Sequence, residues 1–324
     1  KKIAVDIYDF DRSQLSREYV SSLSAGDYFT PDTKADLSGR PLWELARRTQ
    51  SGDAEMALIL PEDFAEQLDA GRQVRVGLVA DGANANTARI GLGYAALMTA
   101  RFNRRTTGVS PSIELHQRFL YNPESESVYF MVPGIVATLL TMVTVMLTAM
   151  AIVREREMGT LEQLMVTPMS TFALLLGKTT TFAILGVIEM IIALVVGTLW
   201  FGIPFVGSPP LLFALSGLYL LTTLGIGMFF STVTTTQQQA MFMAWFFSVF
   251  SILTSGFFTP IANMPQWLQY VTLVNPLRYF LVIVRGIMMK GAGLFDLTTE
   301  IGALTLFGVV IFTFAVLRFH KRTA

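Results

Sequence analysis

Long apolar runs constrain this chain more than any other feature. Segments at about 128–153, 172–201, 211–231, 240–258 and 301–319 are almost free of charge. A helix needs about 20 mostly apolar residues to cross the hydrocarbon layer of a membrane. Inside that layer no water satisfies the backbone, so each run is expected to be helical. The one basic residue within the first four runs is Lys178, close enough to an end to reach water. Charge separates this half from the rest. Residues 1–127 carry 15 Lys/Arg and 18 Asp/Glu, residues 128–324 only 9 and 6. A water-soluble domain followed by an all-α, polytopic membrane domain is the expected organisation. A net charge of zero offers no argument for nucleic-acid binding. The absence of cysteine excludes disulfides, thiolate metal sites and cysteine nucleophiles.

Basic residues set the expected orientation. Arg154 and Arg156 follow the first run, Lys178 begins the second, and Arg318, Lys321 and Arg322 end the last. With five alternating spans all six share one side, taken as cytoplasmic, and the C-terminus with them. Residues 1–127 then fall outside. Arg278, Arg285 and Lys290 oppose the rule from the loop before the last span. The chain opens at Lys1 in a strand-like run without a signal peptide, so a membrane helix upstream is expected to carry the soluble domain across.

The soluble half reads as α/β over residues 1–110, with 111–127 as a linker. Ile3, Val5 and Ile7 alternate as in a half-buried strand, and 57–60 and 74–78 read likewise. Leu15, Tyr19 and Leu23 keep helical spacing, and short helices are expected at 42–48 and 62–70. A longer helix at 86–105 is expected to turn Ile90, Leu97 and Ala100 inward.

In the membrane half, residues 259–290 look more structured than a connection. Trp267, Tyr270, Val271 and Val274 share a helix face, and Asn275-Pro276 can cap and start a second helix. The pair either re-enters the outer leaflet or lies flat on it.

Residues 154–168 form the densest charged cluster between two spans. Gly159 can end the preceding helix. Thr160 and Gln163 make a T-x-x-Q capping box, Leu161, Leu164 and Met165 give one apolar face, and Pro168 stops the turn. A short helix parallel to the membrane is expected there. By itself it reads equally as a surface for a motor to push on or as an ordinary charged loop.

This segment, R-E-R-E-M-G-T-L-E-Q-L-M-V-T-P, closely resembles the cytoplasmic loop of ABC-2 type permeases, the membrane subunits of bacterial ABC exporters. A-V-D-I-Y-D-F-D-R-S-Q-L-S at 4–16 is similar to the start of that family's extracytoplasmic domain. S-G-F-F-T-P-I-A-N-M-P at 255–265 and N-P-L-R-Y-F at 275–280 resemble its re-entrant region. The resemblance implies a type V exporter-like fold of six membrane helices, of which this chain shows five. It implies that 154–168 docks on a separate ATPase through Arg154, Glu155, Arg156, Glu157, Gly159, Thr160, Glu162, Gln163, Thr167 and Pro168. ATP and Mg would sit on that partner, with no cofactor, metal or catalytic residue here. A second permease subunit, identical or paralogous, and a periplasmic membrane-fusion adaptor are the other implied partners. The implied setting is the inner membrane.

Other signals are weaker. Gly177-Lys178-Thr179 ends like a P-loop, but residue 172 is Phe and no strand precedes it. Gly91-Leu92-Gly93-Tyr94-Ala95-Ala96 fits G-x-G-x-x-A inside a helical run, where close packing is the expected meaning. Asp6, Asp9 and Asp11 are expected to close a turn and cap a helix rather than bind metal. Glu189, near the middle of the second run, either lines a substrate path, relays protons or makes a structural hydrogen bond. Glu189, Phe257, Phe258, Asn275 and Arg278 are the candidate substrate-path residues. Sixteen Met and 25 Phe suit a lipophilic cargo, and equally suit any membrane helix. Rival readings are a proton- or ion-coupled transporter using Glu189 and a membrane anchor or receptor.

Overall fold

The computed structural model describes residues 3–24, 28–31, 44–45, 48–49, 54–82, 85–106, 113–121, 127–159, 171–259, 261 and 264–318. Two compact units divide the chain, Lys1–Phe130 and Met131–Ala324.

The first unit is a five-stranded mixed sheet with helices packed on it. Its elements are β1 (Ile3–Asp9), α1 (Gln14–Ser24), β2 (Phe29–Pro31), β3 (Met56–Leu60), α2 (Phe64–Asp69), β4 (Val74–Asp81), α3 (Ala85–Thr106) and β5 (Ile113–Leu120). The strand order is β2-β1-β3-β4-β5. β1 runs parallel to β2 and β3, β3 antiparallel to β4, and β4 parallel to β5. Strand alternation sorts the side chains into two faces. Ile3, Val5, Met56, Leu58, Val74, Val76 and Leu78 face the main core beneath α1 and α3. Tyr8, Ala57, Ile59 and Val79 face a smaller cluster on the other side. Tyr19 anchors the main core, edge-on to Phe102 at 5.2 Å and hydrogen-bonded to Thr99 at 2.7 Å.

Two expectations need correction here. Residues 113–120 are not linker but the edge strand β5, paired along the whole of β4. Ile113 and Leu115 pack into the core, while the polar run His116, Gln117 and Arg118 after them hides the alternation. Asn103 fixes the start of the strand, exchanging two 3.1 Å hydrogen bonds with the backbone of Ile113. α3 is also rotated from its expected phase. Ile90 and Leu97 are exposed, and Ala88, Leu92, Ala95, Thr99 and Phe102 face inward. Close approach sets this phase: a β-carbon at Gly91 would run into the Met56 side chain and lie 3.1 Å from Ile3 Cδ1. Glycine lets the helix lie this near the sheet without displacing the Met56 side chain. The helix expected at 42–48 lies mostly outside the described residues.

Long helices dominate the second unit. They are α4 (Ser127–Glu157), α5 (Thr171–Leu199), α6 (Pro209–Val233), α7 (Gln237–Thr254), α8 (Gln266–Thr272), α9 (Pro276–Arg285) and α10 (Thr298–Arg318). Four stretches are long and apolar enough to cross a membrane: Val128–Glu157, Gly177–Leu199, Pro209–Val233 and Leu294–Ala315. The bent pair Gln266–Thr272 and Pro276–Lys290, which meet at 80°, counts as a fifth if it is one broken span. The expected span at 240–258 is the 18-residue helix α7, which falls outside that set. Three glutamines, Gln237 to Gln239, open it and lower its apolar character.

Burial within the chain identifies the centre. In the apolar stretch of α6, 67% is buried inside the chain, against 22% for α5. Contacts close enough to exclude larger side chains line α6. A β-carbon at Gly227 would lie 2.8 Å from the Val145 carbonyl oxygen, and one at Gly225 3.1 Å from Ile311. Such small-residue contacts let membrane helices gain dispersion contact without a hydrophobic drive. Several polar groups in this core satisfy one another, while the buried hydroxyls of Thr148 and Thr222 have no hydrogen-bond partner among the described residues. Thr141 on α4 shares a 2.6 Å hydrogen bond with Tyr219 on α6, whose ring stacks on Phe280 of α9 at 4.0 Å. Buried Thr138, Thr141 and Thr144 also donate to carbonyls one turn back on α4.

Candidate functional site

α4 emerges from its apolar stretch into Arg154, Glu155, Arg156 and Glu157. The two arginines suit the negative end of the helix dipole. Gly159 closes the helix at φ +71°, a left-handed conformation that costs glycine little, and its N–H reaches the Arg156 carbonyl at 3.1 Å. This is the helix end expected from the sequence. Thr160, Glu162, Gln163, Thr167 and Pro168, with the capping box and the short helix expected from them, lie outside the described residues.

Three of the four charged side chains engage neighbouring helices. Glu155 forms an ion pair with Lys178 near the start of α5. Arg156 donates from Nη1 to the Thr234 carbonyl at 3.1 Å. Glu157 accepts from the Gln237 backbone N–H at 3.0 Å and from its side-chain amide at 2.5 Å. The turn joining α6 to α7 carries no charge of its own. It orders itself instead through Thr236, whose hydroxyl caps α7 by accepting from Gln239, and through Gln239, which accepts from Thr235. Lys178, Thr234 and Gln237 were not among the expected site residues. The uncharged polar run from Thr234 to Gln239, set in an apolar region, was the available signal.

The candidate path residues do not gather at one point. Asn275 is buried and fully used: Nδ2 donates to the Ser251 carbonyl (2.7 Å) and to Thr254 Oγ1 (2.9 Å), and Oδ1 caps α9 at Leu277 N (3.0 Å). It pins the bend to α7. Arg278 donates to Thr272 Oγ1 at 2.6 Å and lies over the Tyr279 ring. Phe257 is buried against Gly134 of α4, where Arg285 also approaches, while its neighbour Phe258 is exposed. Glu189 is half-buried on α5, and its Oε2 has no hydrogen-bond partner among the described residues. No described hydrogen bond joins it to the residues of the bend.

Other motifs resolve into structure. Asp9 accepts from Arg12 N (3.0 Å) and Ser16 Oγ (2.7 Å), closing the turn into α1. Asp6 is held by both Nε and Nη2 of Arg48, at 2.6 and 3.0 Å. No group of three potential metal ligands occurs among the described residues. Gly177, Lys178 and Thr179 sit inside α5, without the loop a phosphate cradle needs.

A bundle of apolar helices with a charged, glycine-ended helix terminus at one polar end defines a multi-pass membrane protein of the permease kind. The chain belongs to the ABC-2 family of transporter proteins, which it matches over residues 1–317. It is 33% identical to the probable multidrug ABC transporter permease YbhR of Escherichia coli K12 over 298 residues, 90% of this chain and 78% of that one. The permease YbhS, also described as a probable multidrug ABC transporter permease, is 30% identical over the same shares. The E. coli inner membrane transport permease YhhJ is 29% identical over 98% of this chain and 85% of its own length. This chain is an ABC-2 permease subunit, and membership implies an ABC ATPase as partner.

Proposed function

We propose that this subunit exports an amphipathic, drug-like compound outward across the inner membrane, driven by a separate ATPase that docks on residues 154–168. The observation that carries the reading is the charged end of α4, closed by Gly159 in a left-handed conformation at φ +71°. Exposed Arg154 and the residues from Thr160 to Pro168 supply the docking surface, where charge-assisted contacts can form and break in each cycle. ATP and Mg belong to the partner, since this chain carries no P-loop. Two permease subunits, identical or paralogous, would flank a groove whose accessible side alternates as the motor closes. Basic residues at 154, 156, 178, 318, 321 and 322 support a cytoplasmic C-terminus and a periplasmic α/β unit. That unit would extend the exit path or meet a membrane-fusion adaptor. The relatives' multidrug descriptions support the cargo class.

Glu162→Lys tests the docking surface. It is expected to abolish co-purification with the ATPase, and a compensating charge reversal on the ATPase is expected to restore it. A specific observation favours a second reading: the unpartnered Oε2 of Glu189 suits a carrier of a coupling ion. Transport that survives ATP depletion and collapses with the proton gradient would overturn the first reading in favour of the second.

A further inference from the structure

The end of α4 is hydrogen-bonded to the turn between α6 and α7 through two of its charged side chains. Arg156 holds the carbonyl of Thr234, one residue past α6, and Glu157 holds both the backbone and the side chain of Gln237, the first residue of α7. Three residues, Thr234 to Thr236, link the two helices, so a pull on either end moves both. Glu155 instead pairs with Lys178 of α5, and Arg154 is the one member of the charged quartet whose side chain makes no described contact with another helix.

The packing above this point explains why directional bonds matter here. α7 meets its neighbours mainly through Ala240, Ala244, Ser248 and Ser251, a face of small side chains, with one bulky contact where Phe247 lies edge-on to Phe230 of α6 at 5.5 Å. Ala240 packs with Ala149 and Val153 of α4, and Ala244 with Val145 of α4 and Ile226 of α6. Small side chains permit close approach but interlock little, so they resist sliding poorly. Charge-assisted hydrogen bonds at the polar end supply the missing register. The uncharged turn has no acidic or basic group with which to hold itself.

We infer that Arg156 and Glu157 are positioning residues of the transport cycle, a brace that makes α6 and α7 move with α4 when the motor displaces the loop after Gly159. This rests on the reading of residues 154–168 as the ATPase contact. It adds a second line of transmission: α5 follows the loop through chain continuity and the Glu155–Lys178 pair, while α6 and α7 follow through the brace. The docking role then falls to Arg154 and to residues beyond Gly159, not to the whole charged quartet.

The chain has no cysteine, so labels can be placed without background. Met158→Cys and Gln238→Cys, both exposed positions, flank the brace. Pulsed electron paramagnetic resonance would read their distance in the complex with the ATPase, labelled chains being diluted with unlabelled ones. Nucleotide-free and MgATP–vanadate-trapped states are compared. With the native brace one narrow distance is expected, identical in both states. Gln237→Glu sets two carboxylates face to face. The distance is then expected to stay near native without nucleotide, held by apolar packing, and to lengthen in the trapped state. The reciprocal pair Glu157→Gln with Gln237→Glu restores an amide facing a carboxylate and should restore the narrow, state-independent distance. A native distance that changes between states overturns the inference, as does an equal shift in both states for Gln237→Glu, the mark of a merely local contact. If the unsubstituted chain forms no vanadate-trapped complex with an ATPase, the docking reading fails first and the brace falls with it.

Discussion

Gly227 decides how closely α6 approaches α4. Its hypothetical β-carbon would meet Thr148 Cβ at 2.7 Å and the Val145 carbonyl oxygen at 2.8 Å. Backbone cannot yield as a side-chain tip can, so Gly227→Ala is expected to cost about 1–3 kcal/mol through overpacking. A lowered Tm of the detergent-purified protein would show it. Gly217 on the same helix has nothing within 4 Å, and Gly217→Ala should leave Tm unchanged or raise it slightly. Tyr19 makes a pH-dependent prediction. Burial pushes its hydroxyl from the ordinary 10.0 up to about 12, against a smaller opposing effect of the Thr99 hydrogen bond. The folded state therefore keeps a proton that the unfolded state loses between pH 10 and about 12. Tyr19's contribution is intact below pH 10 and declines as pH rises through that window. Tyr19→Phe is expected to cost about 1 kcal/mol at neutral pH, from the lost hydrogen bond, and to flatten the alkaline decline. Denaturant titrations at pH 8 and pH 11 check both. Such residue-scale chemistry was partly legible: the Asp9 turn and the Gly159 helix end follow from side-chain type and immediate neighbours. The Tyr19–Thr99 pair was not, since 80 residues separate its members.

At the scale of elements, the bend between α8 and α9 depends on Asn275. The Asn-Pro start of α9 was readable because a cap is a local contract between a side chain and the next backbone N–H. Its two bonds to α7 were not, because they reach back 21 and 24 residues to another helix. Asn275→Ala removes the cap and both anchors and is expected to cost about 2–3 kcal/mol. Faster hydrogen exchange across Gln266–Thr272 and Pro276–Arg285 would reveal the loosened bend. Asn275→Asp keeps the cap but turns a carboxylate oxygen toward the Ser251 carbonyl, and should be no better than alanine. β5 and the phase of α3 mark where pattern reading stopped. β5 alternates weakly because an edge strand leaves much of its surface in water, and α3 is oriented by a glycine approach that no hydrophobic spacing encodes.

For the whole molecule the central question is what drives the helices. An ATP-driven permease predicts that Glu189→Gln leaves the dependence of transport on ATP intact, because the driving force does not pass through its charge. Transport should also stop on ATP depletion and continue when a protonophore dissipates the gradient. A carrier of a coupling ion at Glu189 predicts the reverse on every count, so proteoliposomes holding the subunit with its ATPase decide between them. The arrangement around α6 bears on the mechanism. With α4, α7 and α10 packed against it, α6 is the central helix of the bundle. α5, by contrast, leaves most of its apolar surface uncovered by the rest of the chain.

By itself the sequence determined the class of molecule, the division into a charged and an apolar half, and the charged, glycine-ended terminus of α4. These are legible because transfer into lipid depends on local composition, and a helix end depends on a few adjacent residues. Tertiary structure alone decided what the charged terminus touches. The glutamate and arginine that read as a surface for another protein reach sideways along the polar end of the bundle, Glu157 staying exposed, to a turn 78 to 80 residues further along the chain. Hydrogen bonds are directional and short-ranged, so their partners are set by which helix ends the packing brings together, and no spacing in the sequence records that.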